Sequence, residues 1–260
     1  MKMSPMSKET TAQQREPLNP RDVRVIKIFC LTIGGINVLC VVLMTIFWTI
    51  FDYLIILGLG MLGLAPAFIA NAGMTFTGVW GGPGRPIDGG RNFIDGQRLF
   101  GKGKTWKGLV GGMIIGSTIS YLLLFVNWGL IIGIPSEGAA DWNNLVFITR
   151  TEIFDVFLIP TSAVSQNPAI NLFARTTLLA IGAPLGDLVG SFIKRRFGKD
   201  RGAIFPLIDQ IDFILLACLF AYVFFPLPWY YILVIVILTP LVAVLGNIVA
   251  YALGKKHVPW

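Results

Sequence analysis

The residues of this 260-residue chain whose types and spacing can do chemistry fall into two stretches. The first reads GDLVGSFIKRRFGKDRGAIFPLIDQIDFILL. It sets Asp187 inside an otherwise apolar run, follows it with the basic cluster Lys194, Arg195, Arg196, Lys199 and Arg201, and places Asp209 and Asp212 at the start of the next apolar run. Three apart on a helix puts the last two carboxylates on one face. With Asp187 opposite, their hard oxygens can hold one or two Mg²⁺ ions and leave coordination positions for phosphates. The competing reading of Asp-x-x-Asp is a solvated helix start, where the helix dipole favours acids. Against it, Asp187 and Asp212 sit in apolar surroundings, where an unpaired carboxylate is costly and marks function by default.

The second stretch reads TFTGVWGGPGRPIDGGRNFIDGQRLFGKGKTWKG and holds ten of the chain's 29 glycines. Glycine lets backbone amides approach an anion closely, and Arg91, Arg98, Lys102, Lys104 and Lys107 supply positive charge for phosphate oxygens. Asp88 and Asp95 add candidate metal ligands. In GKGKTWKG, Lys104 and Thr105 stand at a glycine-rich entrance to a helix, where amides and the dipole favour phosphate. The competing reading is a flexible, positively charged loop. A Walker A loop is excluded, because Arg98 stands where its first glycine belongs and no buried strand precedes it. Asn71, in PAFIANAG beside the helix-disrupting Pro66, is a candidate ligand of the phosphate site or a hydrogen-bonding link between helices. The only histidine, His257, lies in the terminal KKHVPW, so no Ser/His/Asp or Cys/His nucleophile is available.

The elements that must position these residues are membrane helices. With 55% hydrophobic and 13% charged residues, the chain departs from globular averages of about 45–50% apolar and about 25% charged. That composition excludes a soluble enzyme, a secreted disulfide scaffold and a disordered chain. Cys30, Cys40 and Cys218 lie in apolar runs without metal or redox spacing and read as inert thiols. Apolar runs long enough for ~30 Å of hydrocarbon occur at about 24–48, 53–74, 108–134, 170–193, 211–227 and 229–253, predicting an all-α protein of six transmembrane helices with two large loops forming the site. The segment 145–160 carries Arg150, Glu152 and Asp155 and is expected as an interfacial helix. Residues 1–22 read as a polar tail and 23–50 as the first span, with 51–260 as one membrane-embedded domain. Of 21 lysines and arginines, all but Arg150 and Arg175 fall on one side of six spans. The positive-inside rule then makes a multi-pass cell-membrane protein with both termini and both basic loops cytoplasmic.

PAFIANAG, PIDGGRNFIDGQRLFGKGKTWKG and GDLVGSFIKRRFGKDRGAIFPLIDQIDF together resemble the archaeal CDP-archaeol synthases, a branch of the membrane CTP-dependent cytidylyltransferases that includes bacterial phosphatidate cytidylyltransferase. The resemblance covers about residues 53–253 and leaves the first span as an addition. Of the wider signature the chain supplies Ser191, Lys194, Arg195, Lys199, Asp200, Gly202, Pro206, Asp209 and Asp212, but only Leu207 and Ile208 stand where a longer His-Gly-Gly segment belongs. That departure favours the archaeal ether-lipid branch, whose loop motif is present as Pro86, Ile87, Asp88, Gly90, Arg91, Asp95, Gly96 and Arg98.

The resemblance implies transfer of CMP from CTP to 2,3-bis-O-(geranylgeranyl)glycerol 1-phosphate, giving CDP-unsaturated archaeol and pyrophosphate for phospholipid biosynthesis. It implies Mg²⁺ on Asp209 and Asp212 with Asp187 and Asp200. Phosphates would be held by Lys104, Thr105, Arg91, Arg98 and Lys194, with Asn71 nearby, and Lys104, Asp209 and Asp212 would be catalytic. The expected partners are CTP, an isoprenoid glycerol phosphate and membrane lipids, with no nucleic acid; a homodimer is compatible with the sequence. The rivals are a cytidylyltransferase for ester phosphatidate, a CTP-dependent polyprenol kinase and a transporter, the last disfavoured because the polar residues gather on one face.

Overall fold

A computed structural model describes residues 19–47, 49–82, 84–132, 166–199, 203, 205–222, 224 and 229–252. Asp200, Arg201, the 145–160 segment and His257 lie outside them. The described residues are all-helical: α1 (Pro20–Phe47), α2 (Ile50–Gly63), α3 (Ala65–Val79), α4 (Trp106–Ile132), α5 (Pro168–Arg196), α6 (Ile208–Ala221) and α7 (Trp229–Ala252).

Local chemistry sets the helix ends. Thr49 and Asp52 form a reciprocal capping box at the start of α2, with Asp52 N–H donating to Thr49 Oγ1 (3.1 Å) and Thr49 N–H to Asp52 Oδ2 (3.0 Å). Asn167 caps α5 by accepting from Ala169 N–H at 3.0 Å, and Pro168 fills a first-turn position where its missing N–H costs nothing.

Among the described residues four helices, α1, α4, α5 and α7, are long and apolar enough to cross a membrane, and α2 with α3 makes a fifth when taken as one bent span. This is a multi-pass membrane protein. The continuous helix expected over 53–74 is broken at Leu64, where α2 and α3 meet at 52°. Pro66 is the cause: it has no N–H for the Leu62 carbonyl, and its ring crowds the preceding turn. The span expected over 211–227 corresponds to α6. Its 14 residues extend about 21 Å at 1.5 Å per residue, short of the ~30 Å hydrocarbon layer.

Two helix pairs form the heart of the fold, α3 with α4 and α5 with α6, and α5 also packs against α3 and α4. Small residues allow the approach. A Cβ on Gly116 of α4 would come within 2.5 Å of the Ala70 Cβ on α3, the close backbone contact that drives helix association in lipid. Leu64, Ala67, Ala70, Leu179, Ala183 and Phe213 lie in the main buried cluster. α1 lies against α2 and α7 instead. Its buried Asn37 donates to the Ile33 carbonyl of its own helix (2.8 Å) and to the Ile237 carbonyl of α7 (3.1 Å). Pro240 interrupts the α7 ladder nearby.

Candidate active site

α3 ends, α4 begins, α5 ends and α6 begins at one end of the bundle, so the residues between α3 and α4 meet the end of α5 there. The glycine-rich stretch is folded. Ile87 N–H donates to the Lys104 carbonyl (2.8 Å) and Trp106 N–H to the Arg85 carbonyl (3.1 Å), lacing its ends together. Inside them Phe93 N–H reaches the Gln97 carbonyl at 2.8 Å, and Gly96 takes the left-handed φ of 77° that the turn requires. Several glycines that could cradle an anion therefore serve turns.

Asp88 is the keystone of this loop. Only 4% exposed, it accepts from Arg98 Nη2 (2.6 Å) and Nε (3.2 Å) and from the amides of Gly101 (2.8 Å), Gly90 (3.0 Å) and Phe100 (3.3 Å). Burial alone would raise its pKa. The Arg98 guanidinium and the three amides outweigh burial and hold the carboxyl well below the usual carboxylate range. Asp88 and Asp95, expected as candidate metal ligands, are both engaged by groups of the protein itself. Asp88 is saturated from within the loop, and Asp95 pairs with Arg196 Nε at 2.8 Å. Arg98, expected on phosphate, is bidentate to Asp88.

The other constellation converges. Lys104 reaches from the end of the loop to ion-pair with Asp187 of α5, and Lys194 Nζ lies 2.5 Å from Asp209 Oδ2 across the α5–α6 connection. Asp212, one turn along α6, accepts from Phe213 N–H at 2.7 Å and interacts electrostatically with Asp187, Lys104 and Asp209. A glycine makes its place, since a Cβ on Gly190 of α5 would overlap the Asp212 carboxylate. One turn earlier, a Cβ on Gly186 would come within 2.8 Å of the Phe213 Cα. Just before α6, Leu207 takes φ 71° and ψ −59°, and Ile208 N–H donates to the Pro206 carbonyl at 2.9 Å. This is the rarer, strained hand of γ-turn, and the surrounding fold must hold it in place. It sets where α6 begins, one residue before Asp209.

The remaining sequence-selected residues surround this cluster less tightly. Thr105 Oγ1 accepts from Gly108 N–H (3.1 Å) and caps α4. Asn71 is half-buried and lies one helical turn from Phe68, whose ring meets that of Phe213 at 5.4 Å. Its side chain makes no hydrogen bond among the described residues. Arg91 is exposed and, like Arg85, Lys102 and Lys107, has no ion-pair partner among them.

Among the described residues no three His, Cys, Asp or Glu side chains stand together as a ready metal site. The donor chemistry does fit a hard divalent cation. Asp212 interacts electrostatically with both Asp187 and Asp209, and the lysines paired with those two sit on flexible stems.

A family model described as CarS-like, CDP-archaeol synthase, matches residues 51–134 and 144–260. The chain belongs to the CDP-archaeol synthase family. The CDP-archaeol synthase of Methanocaldococcus jannaschii is 37% identical over 197 residues, covering 76% of this chain and 93% of its own length. That of Methanococcus maripaludis is 37% identical over 209 residues, covering 80% and 99%. That of Archaeoglobus fulgidus is 37% identical over 183 residues, covering 69% and 86%. A solved structure of an intramembrane enzyme for archaeal membrane lipid biosynthesis shares 29% identity, covers 72% of this chain and 92% of its own, and superposes with a TM-score of 0.48.

α1 precedes the part of the chain matched to the CDP-archaeol synthase family. Within the matched part, two further groups of residues shape the site. Gly186 and Gly190 are legible as an i, i+4 pair of small residues flanking Asp187. Arg196 was one member of a basic cluster, and nothing in its spacing marks its attachment to Asp95 and the 97–98 carbonyls.

Proposed function

We propose that this family member transfers CMP from CTP to 2,3-bis-O-(geranylgeranyl)glycerol 1-phosphate, giving CDP-unsaturated archaeol and pyrophosphate. The observation that carries the reading is the meeting of Lys104, Asp187, Lys194, Asp209 and Asp212 at one end of the bundle, beside a folded basic loop. The described core of this cluster holds three carboxyl groups and two lysines, and both lysines are engaged by carboxylates. Hard divalent cations taking over the carboxylates would release both lysines toward phosphates, and this supports Mg²⁺ on Asp187, Asp209 and Asp212, with Asp200 in the set. Bound there, Mg²⁺ would supply neutralisation of the triphosphate and of the departing pyrophosphate.

The protein's own residues would then align two anions. The lipid phosphate is ionised at neutral pH, so its oxygen can attack the α-phosphorus of CTP without a strong general base, while the bond to the β-phosphate bridging oxygen breaks and pyrophosphate leaves. Lys104 and Lys194 would neutralise the equatorial and leaving oxygens; Arg91, Thr105 and Asn71 would orient the phosphates. Arg98 binds Asp88 through Nε and Nη2 and would keep its Nη1 N–H groups for a phosphate. Nothing in this chemistry calls for nucleic acid.

The same reading orients the chain with both termini and both basic loops cytoplasmic. It counts α6 within a sixth span and treats residues 51–260 as the catalytic domain, with the 1–22 tail and the 23–50 helix as additions. The isoprenoid chains would enter sideways from the bilayer. Incubating purified protein with labelled CTP and a panel of archaeal and bacterial lipid phosphates tests the proposal by thin-layer chromatography. The expected result is CDP-linked ether lipid with equimolar pyrophosphate. Preference for ester phosphatidate would move the assignment to that branch, and release of CDP would make it a lipid kinase.

A further inference from the structure

We infer that Arg196 is a positioning residue that fixes the glycine-rich loop on α5 and so delivers Lys104 to the aspartate cluster. Five contacts converge on its guanidinium. Nε pairs with Asp95 at 2.8 Å. Nη2 donates to the carbonyls of Arg98 (2.7 Å) and Gln97 (3.3 Å). The guanidinium carbon lies over the rings of Phe192 (4.6 Å) and Phe93 (4.9 Å), which themselves meet edge to face at 5.3 Å.

The load passes inward from there. Arg98, whose carbonyl Arg196 holds, grips Asp88, and Asp88 fixes the amides of Phe100 and Gly101. Gly101 N–H thus stands only three residues before Lys104, and the Gly101 carbonyl accepts from the Lys104 amide at 3.2 Å. The chain of contacts from the last turn of α5 to the ion pair on Asp187 is unbroken.

Arginine suits this position, because its extended fork reaches the Asp95 carboxylate and the 97–98 carbonyls while its Cζ lies over two rings, a spread of partners that a compact ammonium cannot span. Releasing the clamp frees the loop to sample other arrangements, and a ligand that needs the loop ordered then binds more weakly in proportion to the lost population.

The inference rests on the CTP-binding reading of the site. Its test therefore has one arm that does not need catalysis. Arg196→Lys and Asp95→Asn are made in the full chain and compared with wild type in nanodiscs. The first readout is hydrogen exchange of the 87–104 amides without substrate. The second is the KM for CTP against the KM for the lipid phosphate.

The expected result for Arg196→Lys is exchange at least about tenfold faster in that segment, with α3–α4 and α5–α6 core amides unchanged. The KM for CTP should rise about tenfold and the lipid KM stay within about twofold. Asp95→Asn, which leaves α5 intact, should move both in the same direction by about threefold. Unchanged exchange overturns the clamp. Faster exchange with an unaltered KM for CTP overturns its role in positioning. A wild-type protein that transfers no CMP from CTP sinks the functional reading, while the exchange arm still decides the clamp.

Discussion

Two carboxylate sites lie in this end of the molecule, and they are built on opposite principles. Asp88 receives five hydrogen bonds, three of them from backbone amides that cannot leave without unfolding the loop. Asp187 and Asp209 are each met by a lysine whose stem can swing away, and Asp212 sits beside them over a glycine. The first arrangement makes a carboxylate into a structural joint. The second keeps charge in place but replaceable, as a site that exchanges ligands must. The number of aspartates would not separate these cases; the identity of their donors does.

The comparison is broken most directly at Asp212. Replacing it by Asn keeps the shape and removes the charge, and CTP-dependent product formation should fall by about a hundredfold or more while detergent-solubilised protein elutes and melts as wild type. Wild-type turnover at saturating Mg²⁺ would end the assignment. Next is Gly190→Ala, whose methyl must displace the Asp212 carboxylate. It should lower kcat by about tenfold and destabilise the fold by about 1–3 kcal/mol, as overpacked helix contacts do. Radiolabelled CTP turnover and thermal melting read the two effects separately.

Asp88→Asn should act in the other way. Loss of the charge on a buried acceptor costs about 2–3 kcal/mol of local stability, read as faster exchange of the Gly90, Phe100 and Gly101 amides, with a smaller effect on kcat than Asp212→Asn. The pH dependence has a defined sign. Because the folded-state pKa of Asp88 lies below its ordinary 3.8, its contribution is present in full above that value and is lost as pH falls through the folded pKa. Exchange protection at those amides, corrected for intrinsic rates, should therefore stay level from about pH 8 to about pH 5 and decline only below about pH 4. The smallest effect is expected from Thr105→Ala, which removes one helix cap and about 1 kcal/mol, with a modest rise in the KM for CTP.

What could be read from the residues divides along the same physical line. Helix existence was legible because apolar length is a local property, and α1, α4, α5 and α7 sit close to their expected bounds. The aspartates of α5 and α6 stood out because a charge in an apolar run is conspicuous. The break at Leu64 was less so: Pro66 signals a disruption, but continuation or breakage depends on packing. The loop was hardest, since its order comes from bonds such as Arg196 to Arg98 across 98 positions and from amides that have no side-chain signature. Glycines that read as an anion cradle proved to include turn residues, because both uses select the same residue.

Asn37 carries a consequence for how the molecule is made. Its partner carbonyl on Ile237 is 200 positions downstream. At roughly 5–20 residues per second, synthesis leaves α1 waiting for about 10–40 s before that carbonyl exists. During that interval the amide is not orphaned in lipid, because Ile33, one turn back in its own helix, already accepts from it. The late bond is then a clasp that ties α1 to α7 once α7 has arrived.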